Sequence, residues 1–272
     1  MTQSNPFGRT SELSLVLAPG KIRHLAFTAP FKVLHPFHQG DFLQIMVVKV
    51  SAGLMAGDRQ SINIVLEPGT KAEFLSQSYE KIHQMEEGEA SREGEVTVGS
   101  DATLLYTPLP VLPFADSAFR STFCINLADG TSRLFYSDIL ACGRAARGER
   151  FAYRLYRSRV RITSGGTLLY ADNFRFSPRE EGMDYESFTQ YEGYTHLGNY
   201  VLCHFAVTED ELRTCLKPVF DGYDGQAGLT RFGDNNLCLK ILANGSELLV
   251  AVQYAIKSLL KRHGAERRSE VK

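Results

Sequence analysis

Seven histidines and a scatter of carboxylates are the side chains here whose types suit catalysis or metal binding. His35 and His38 form the one close pair, at i and i+3 around Pro36. In an extended segment they can meet at a metal, and an exposed turn explains them as well. His83 lies in SQSYEKIHQMEEGEASRE, which carries Glu86, Glu87, Glu89 and Glu93. An acid-rich, Gly-containing stretch of this kind reads first as a solvated loop and second as a weak cation trap. Dispersed carboxylates can also act as acid–base pairs on glycosides, and a β-solenoid would suit a long polysaccharide, so a carbohydrate-active β-solenoid enzyme is the alternative reading. Cys124, Cys142, Cys203, Cys215 and Cys238 lack the close spacing of a zinc ribbon or redox pair, and they read as reduced thiols in small hydrophobic niches.

Sharper signatures are missing. The sequence has no P-loop, no dinucleotide fingerprint, no His-Glu-x-x-His and no G-x-S-x-G elbow. Thirty basic residues balance thirty-one acidic ones for a net charge of −1, so no global field draws the chain onto nucleic acid or an anionic membrane. At 43% hydrophobic and 22% charged residues the 272-residue chain folds by ordinary burial. No apolar run approaches the roughly 20 residues that span a bilayer, and MTQSNPFGRTSEL lacks the apolar middle of a secretion signal. The expected location is cytoplasmic, without a membrane or nucleic-acid partner.

The elements that would position these groups are mostly strands. Residues 13–207 alternate short β-branched and aromatic runs with Gly, Pro, Asp, Asn and Ser clusters, the pattern of a mainly β region. FLQIMVVKV (residues 42–50) is almost continuously apolar and reads as a strand buried on both faces, whereas RLYRSRVRI (residues 154–162) alternates and keeps one wet face. PGTKAEF, SDATLLY, DGTSRLFY and GGTLLY repeat a turn, a threonine and a strand, with Thr70, Thr103, Thr131 and Thr167 spaced 33, 28 and 36 residues apart. Such a loose period suggests stacked units sharing one core. Residues 208–264 mix helix and strand. Thr208 caps a helix that Pro218 should end, NNLCLKIL is one more strand, and Ser246 caps an amphipathic helix with Gly264 as its stop. The tail, 265–272, reads as frayed. The whole, 1–272, is expected to be a single domain: mainly β, a β-helix-like stack of strands with two helices in the C-terminal region.

Several of these segments together resemble the UreD family of urease accessory proteins, also called UreH. AGLMAGD after an apolar strand, FLSQSYEKIH, YTPLPVLPFADSAFR and YEGYTHLGNYVL follow the family order. So does the distinctive GRxAxGExF, here Gly143-Arg144-Ala145-Ala146-Arg147-Gly148-Glu149-Arg150-Phe151. Ala52 replaces the first glycine of the usual pair, and residues 206–245 match poorly. The resemblance implies a non-enzymatic scaffold that binds apo-urease with UreF and UreG and assists GTP-dependent nickel delivery, the GTPase being UreG. It implies no stably bound cofactor and at most transient nickel.

A chain that passes a metal rather than storing it should avoid a closed His/Cys cage, because tight coordination slows release. Isolated carboxylates along a wet path suit transfer better. Asp58 in AGLMAGD, Asp138 in YSDIL and Asp172 in YADNF, acids beside apolar strands, are the candidates for that path. Turn caps or surface acids explain the same positions.

Overall fold

The computed structural model describes residues 8–179, 184, 185, 187 and 190–269. Strands β1 (Thr10–Ala18) and β2 (Lys21–Phe27) form a hairpin, and the short β3 (Phe31–Val33) and β4 (Phe37–Gln39) lead into β5 (Phe42–Lys49). The chain then winds through β6 (Arg59–Leu66), β7 (Lys71–Ser76), β8 (Glu80–Ile82), β9 (Ala90–Val98), β10 (Thr103–Thr107), β11 (Val111–Pro113), β12 (Ala118–Leu127), β13 (Arg133–Ala141) and β14 (Leu155–Ser164). The return strand β15 (Thr167–Phe176) precedes β16 (His196–Cys203), helix α1 (Glu209–Phe220), β17 (Gly225–Phe232), β18 (Asn236–Ala243) and helix α2 (Ser246–Ser269).

Successive long strands of the winding fall in two facing sheets. The first has the order β15-β14-β12-β9-β6-β1-β2, and the second runs β17-β18-β16-β13-β10-β7-β5-β3. Within the coils all neighbours are parallel: β6, β9, β12 and β14 in one sheet, β5, β7, β10 and β13 in the other. The short β8 and β11 pair at a corner, where Leu54 also bridges Ile82. The chain is therefore mainly β, with a β-helix-like stack at its centre.

The threonine repeat has a structural origin. Lys71, Thr103 and Arg133 are register partners where the chain enters the second sheet, so Thr70, Thr103 and Thr131 fall within two residues of the same place in successive coils. The turns also bond across coils: Thr103 N–H donates to Thr70 O at 2.8 Å, Arg133 N–H to Ala102 O at 2.8 Å, and Asp101 N–H to Thr131 Oγ1 at 2.7 Å. Thr167 breaks the series, because it opens β15, which runs antiparallel to β14.

Inward-facing residues supply the core by the period-two rule. Ile62, Ile64 and Leu66 of β6 meet Leu43, Ile45 and Val47 of β5 in one buried cluster. Each such side chain contributes about 1.5–3 kcal/mol on burial. Phe74, Tyr106 and Tyr136 stack coil upon coil, with centroids 4.8 and 5.7 Å apart. The outward side of β5 is only half-buried at Gln44, Met46 and Val48, less covered than its continuous apolar run suggests. β14 alternates as expected, its arginines outward.

The helices cover the second sheet. Thr208 and Glu211 form a reciprocal capping box on α1, which fixes its start. α1 runs two residues past Pro218, which gives up its own bond to the preceding turn, while the Asp221 N–H still closes the helix on Lys217 O. Leu248, Leu249, Val252, Ile256 and Leu260 of α2 pack on Phe135, Tyr200, Leu239 and Ile241. Ser246 is the first helical residue, and its hydroxyl meets the Tyr79 hydroxyl at 2.7 Å. Helix α2 passes through Gly264 to Ser269, so the predicted stop and the frayed start at 265 give way to continued helix; residues 270–272 lie outside the described residues. Glu73 of β7, 2% exposed, accepts from Lys257 Nζ at 2.8 Å and Lys261 Nζ at 2.6 Å, tying α2 to the coils. No helix among the described residues is long and apolar enough to cross a membrane.

Candidate functional site

One polar row interrupts the apolar interior. Each coil strand of the first sheet carries a polar residue at the inward position just before its apolar run: Gln60 in β6, Arg92 in β9, Ser121 in β12 and Ser158 in β14. Register places these four side by side across the stack. Arg92 Nε donates to Gln60 Oε1 at 2.9 Å, and Arg92 also pairs with Glu80 of β8, which Lys49 engages as well. A cavity of about 50 Å³ lies against this row, lined by Glu80, Arg92, Ser121, Tyr136 and Asp138 among others. That is room for on the order of a few water molecules. In the same row Gln60 Nε2 is buried with no hydrogen-bond partner among the described residues.

The second sheet answers with its own row. Asp138 of β13, Asn199 of β16 and Lys240 of β18 are register partners. Asp138 Oδ2 accepts from Ser158 Oγ at 3.0 Å, joining the two rows. Asp138 and Asn199 both line a small gap beyond it. Asn199 Nδ2 donates to the Tyr170 hydroxyl at 3.2 Å. Tyr170 donates to Asp172 Oδ2 at 2.8 Å, and Lys240 Nζ reaches the same oxygen at 2.8 Å. Tyr170, Cys238 and Lys240 line a surface recess of about 510 Å³. The polar groups thus form a line from Glu80 through Asp138 to Asp172 and the surface.

Electrostatics along the line are mixed. Burial pushes the Asp138 carboxyl up, only partly offset by Ser158 and Arg92, and the Asp172 charge adds to the rise. Lys49 is held well below its ordinary value by burial and then by Arg92. Burial also raises the Tyr136, Tyr156 and Tyr170 hydroxyls, which therefore act as neutral hydrogen-bonding groups at neutral pH. The arrangement can hold water, share protons and offer single carboxylate oxygens. Among the described residues no three His, Cys, Asp or Glu side chains are grouped to hold a metal.

The structure brings Asp138 and Asp172 onto one interior line and places Asp58 elsewhere. Asp58 accepts from Arg9 N–H at 3.0 Å and Met55 N–H at 2.8 Å, closing the turn between Leu54 and β6. Replacing Asp58 with Ala strands two backbone donors and is expected to cost about 1–2 kcal/mol, a drop of a few degrees in Tm. Thermal unfolding checks this, and an unchanged Tm would reject the capping role.

His35 and His38 are exposed and lie in or beside the short β4. His83 bonds Ala52 O through Nε2 at 2.9 Å and sets its ring against Phe114. The stretch from Ser76 to Glu93 is not simply a solvated loop: Glu80, Ile82 and Met85 are buried, because β8 closes the corner of a coil. The connector after β13 locks itself. Arg144 Nε donates to Glu149 Oε2 at 2.8 Å, its guanidinium lies 3.9 Å from the Phe114 ring centroid, and Glu149 Oε2 also accepts Ala115 N–H at 3.1 Å.

Glu80, Arg92 and the serine row were missed in the sequence. A signal for the row was available, since RQSINIVL, RSTFCINL and RSRVRITS each set Gln60, Ser121 or Ser158 two positions before alternating apolar residues, and SREGEVTV sets Arg92 before Gly94, Val96 and Val98.

A family model described as UreD urease accessory protein matches residues 11–271, including the weakly similar 206–245. Over 261 residues the chain is 34% identical to a urease accessory protein UreH of Helicobacter pylori (strain G27), spanning 94% of this chain and 96% of that one. It is likewise 34% identical over 262 residues to a urease accessory protein UreD of Acetivibrio thermocellus, spanning 94% and 99%. The UreH of Helicobacter hepaticus is 39% identical over 175 residues, 64% of this chain and 68% of that one.

Proposed function

The chain belongs to the UreD family of urease accessory proteins, with a role in urease maturation, and from that premise we propose a cytoplasmic, non-enzymatic scaffold that binds apo-urease together with UreF and UreG and passes nickel along its interior. The observation that carries the second half is the polar line from Glu80 through Asp138 to Asp172, which crosses an otherwise apolar core and ends at a surface recess. Nature rarely buries such groups without use, because each costs free energy unless paired or wetted.

Asp138 and Asp172 are the stepping points. Asp138 offers one hard oxygen donor beside the Ser158 hydroxyl, and Asp172 offers a carboxylate already shared with Lys240, an arrangement too sparse to trap a divalent ion. Lys49 and Arg92 neutralise Glu80 and so keep a third carboxylate from turning the line into a sink. Asp58, engaged with two backbone amides, serves the turn. UreG supplies the GTP hydrolysis in this scheme.

The test is urease matured in cells with Asp138→Asn, Asp172→Asn or native chain, with nickel measured per purified urease. Asn preserves size while removing the charge. Loss of one charge-assisted donor is expected to lower nickel loading roughly tenfold, with Tm and co-purification with UreF and apo-urease retained. Unchanged nickel in both variants rejects the interior path, and failure of the native chain to co-purify with either partner rejects the scaffold.

A further inference from the structure

The outer face of the first sheet carries a row of arginines beside a pair of glutamates. Arg157, Arg159 and Arg161 of β14 point outward at alternate positions, about 6.8 Å apart along the strand. Register sets Arg175 of β15 beside Arg157, and Arg120 of β12 on its other side. Arg157 and Arg159 share one carbonyl, Asn173 Oδ1, at 3.3 Å each. Arg120 pairs with Glu89 at its margin. Thr122, Cys124 and Asn126 of β12 form an exposed strip of small residues in the middle. Beyond them the exposed Glu93 and Glu95 of β9 stand in the same cross-strand rows as Arg159 and Arg161. The face is therefore free of large apolar side chains at its centre and split into a basic half and an acidic half about two strand spacings, roughly 9–10 Å, apart. The helices lie on the other sheet, so no element of the described chain covers it.

Aligning like charges along one strand is unfavourable in isolation, and an opposite charge from outside would relieve it. We infer that this face docks a folded protein partner whose acidic stripe lies over Arg157, Arg159 and Arg161, with basic groups over Glu93 and Glu95. A polyanion such as nucleic acid or an anionic bilayer would meet Glu93 and Glu95 as repulsion, whereas a protein surface can match both signs and so fix its orientation.

The proposal rests on the maturation reading only for the choice of partners to test. Cys124 is an exposed thiol at the centre of the face, while Cys142 and Cys203 are buried, so alkylation mapped by mass spectrometry reports on this surface. In the complex with apo-urease, UreF and UreG, alkylation of Cys124 is expected to slow at least tenfold relative to the free chain. The triple variant Arg157→Glu, Arg159→Glu, Arg161→Glu, with native Tm, is expected to lose that protection and to weaken assembly about tenfold or more. Glu93→Lys with Glu95→Lys should weaken it too, and tighter binding by that variant would overturn the two-signed match. A complex that forms with Cys124 fully reactive overturns the proposal while leaving the scaffold reading intact. Arginine-dependent binding of duplex DNA or phosphatidylserine vesicles, with no protection of Cys124 in the protein complex, would likewise overturn it.

Discussion

Glu73→Ala is expected to destabilise the chain by about 3–5 kcal/mol, the cost of leaving buried ammonium groups without their partner. Glu73 and Lys257 are almost wholly enclosed, and Lys261 and Gln44 complete the carboxylate's bonding. Since domains hold only about 5–15 kcal/mol in reserve, much of the margin would go, and α2 would lose its tether to β7. Replacing the pair with apolar residues, Glu73→Leu with Lys257→Met, should recover much of the loss. The effect also has a pH signature. Burial raises the Glu73 carboxyl, but the hydrogen bonds from Lys257 and Lys261 outweigh it and hold the group below its ordinary 4.5. A depressed carboxyl contributes its stability in full above the ordinary value and loses it as pH falls through the folded-state value. Urea unfolding at stepped pH should therefore show a constant gap between the native chain and Glu73→Gln above that range, closing in acid. A gap that persisted through strong acid would contradict the pairing.

Gly143→Val is expected to cost about 2–5 kcal/mol, combining a strained backbone with steric overlap, and to abolish most soluble yield. Gly143 has φ +128°, and a Cβ there would lie 2.5 Å from Glu149 O and 3.3 Å from Pro113 O. Neither carbonyl can retreat, because the Arg144–Glu149 pair and β11 hold them. Gly148, five residues on, is the control. Its φ is +76° but nothing lies within 4 Å of a Cβ, so Gly148→Asn should cost under about 1 kcal/mol. Soluble yield and Tm of the two variants decide it: similar losses, or none at Gly143, would reject the account of this connector as a wedge between carbonyls.

Patterning made the class of fold legible but hid its pairing. RLYRSRVRI announced a half-wet strand, Thr208 with Glu211 a helix start, and the threonine repeat a stack of coils, all of which depend on local chemistry. Parallel pairing at separations near thirty residues leaves no local mark beyond that period, so the two-sheet division was not readable. β17 was overlooked because GQAGLTRF has two glycines and few β-branched residues; it is held as an edge by pairing with β18. Residue type picked out Asp138 and Asp172 as acids beside apolar runs, but their place on one interior line depends on β13, β15 and β16 lying together. Asp58 shared the same sequence context of acid beside apolar run, and only geometry separates a carboxylate facing the interior from one folded back on two amides. Glu73 and Lys257 are single charges in apolar patterns, a signal of pairing that names no partner.

The coils of the first sheet are bounded at both ends by strands that turn back: β2 against β1, and β15 against β14. A parallel stack has no natural length, since each coil offers the next one evenly spaced, slanted hydrogen-bonding groups. A reversed edge presents the alternating narrow and wide spacing of an antiparallel ladder instead, and β2 adds Lys21 and Arg23 to its exposed surface. The returning strands thus act as terminators of growth, holding as a discrete particle a repeat that could otherwise extend, copy upon copy, into a fibre.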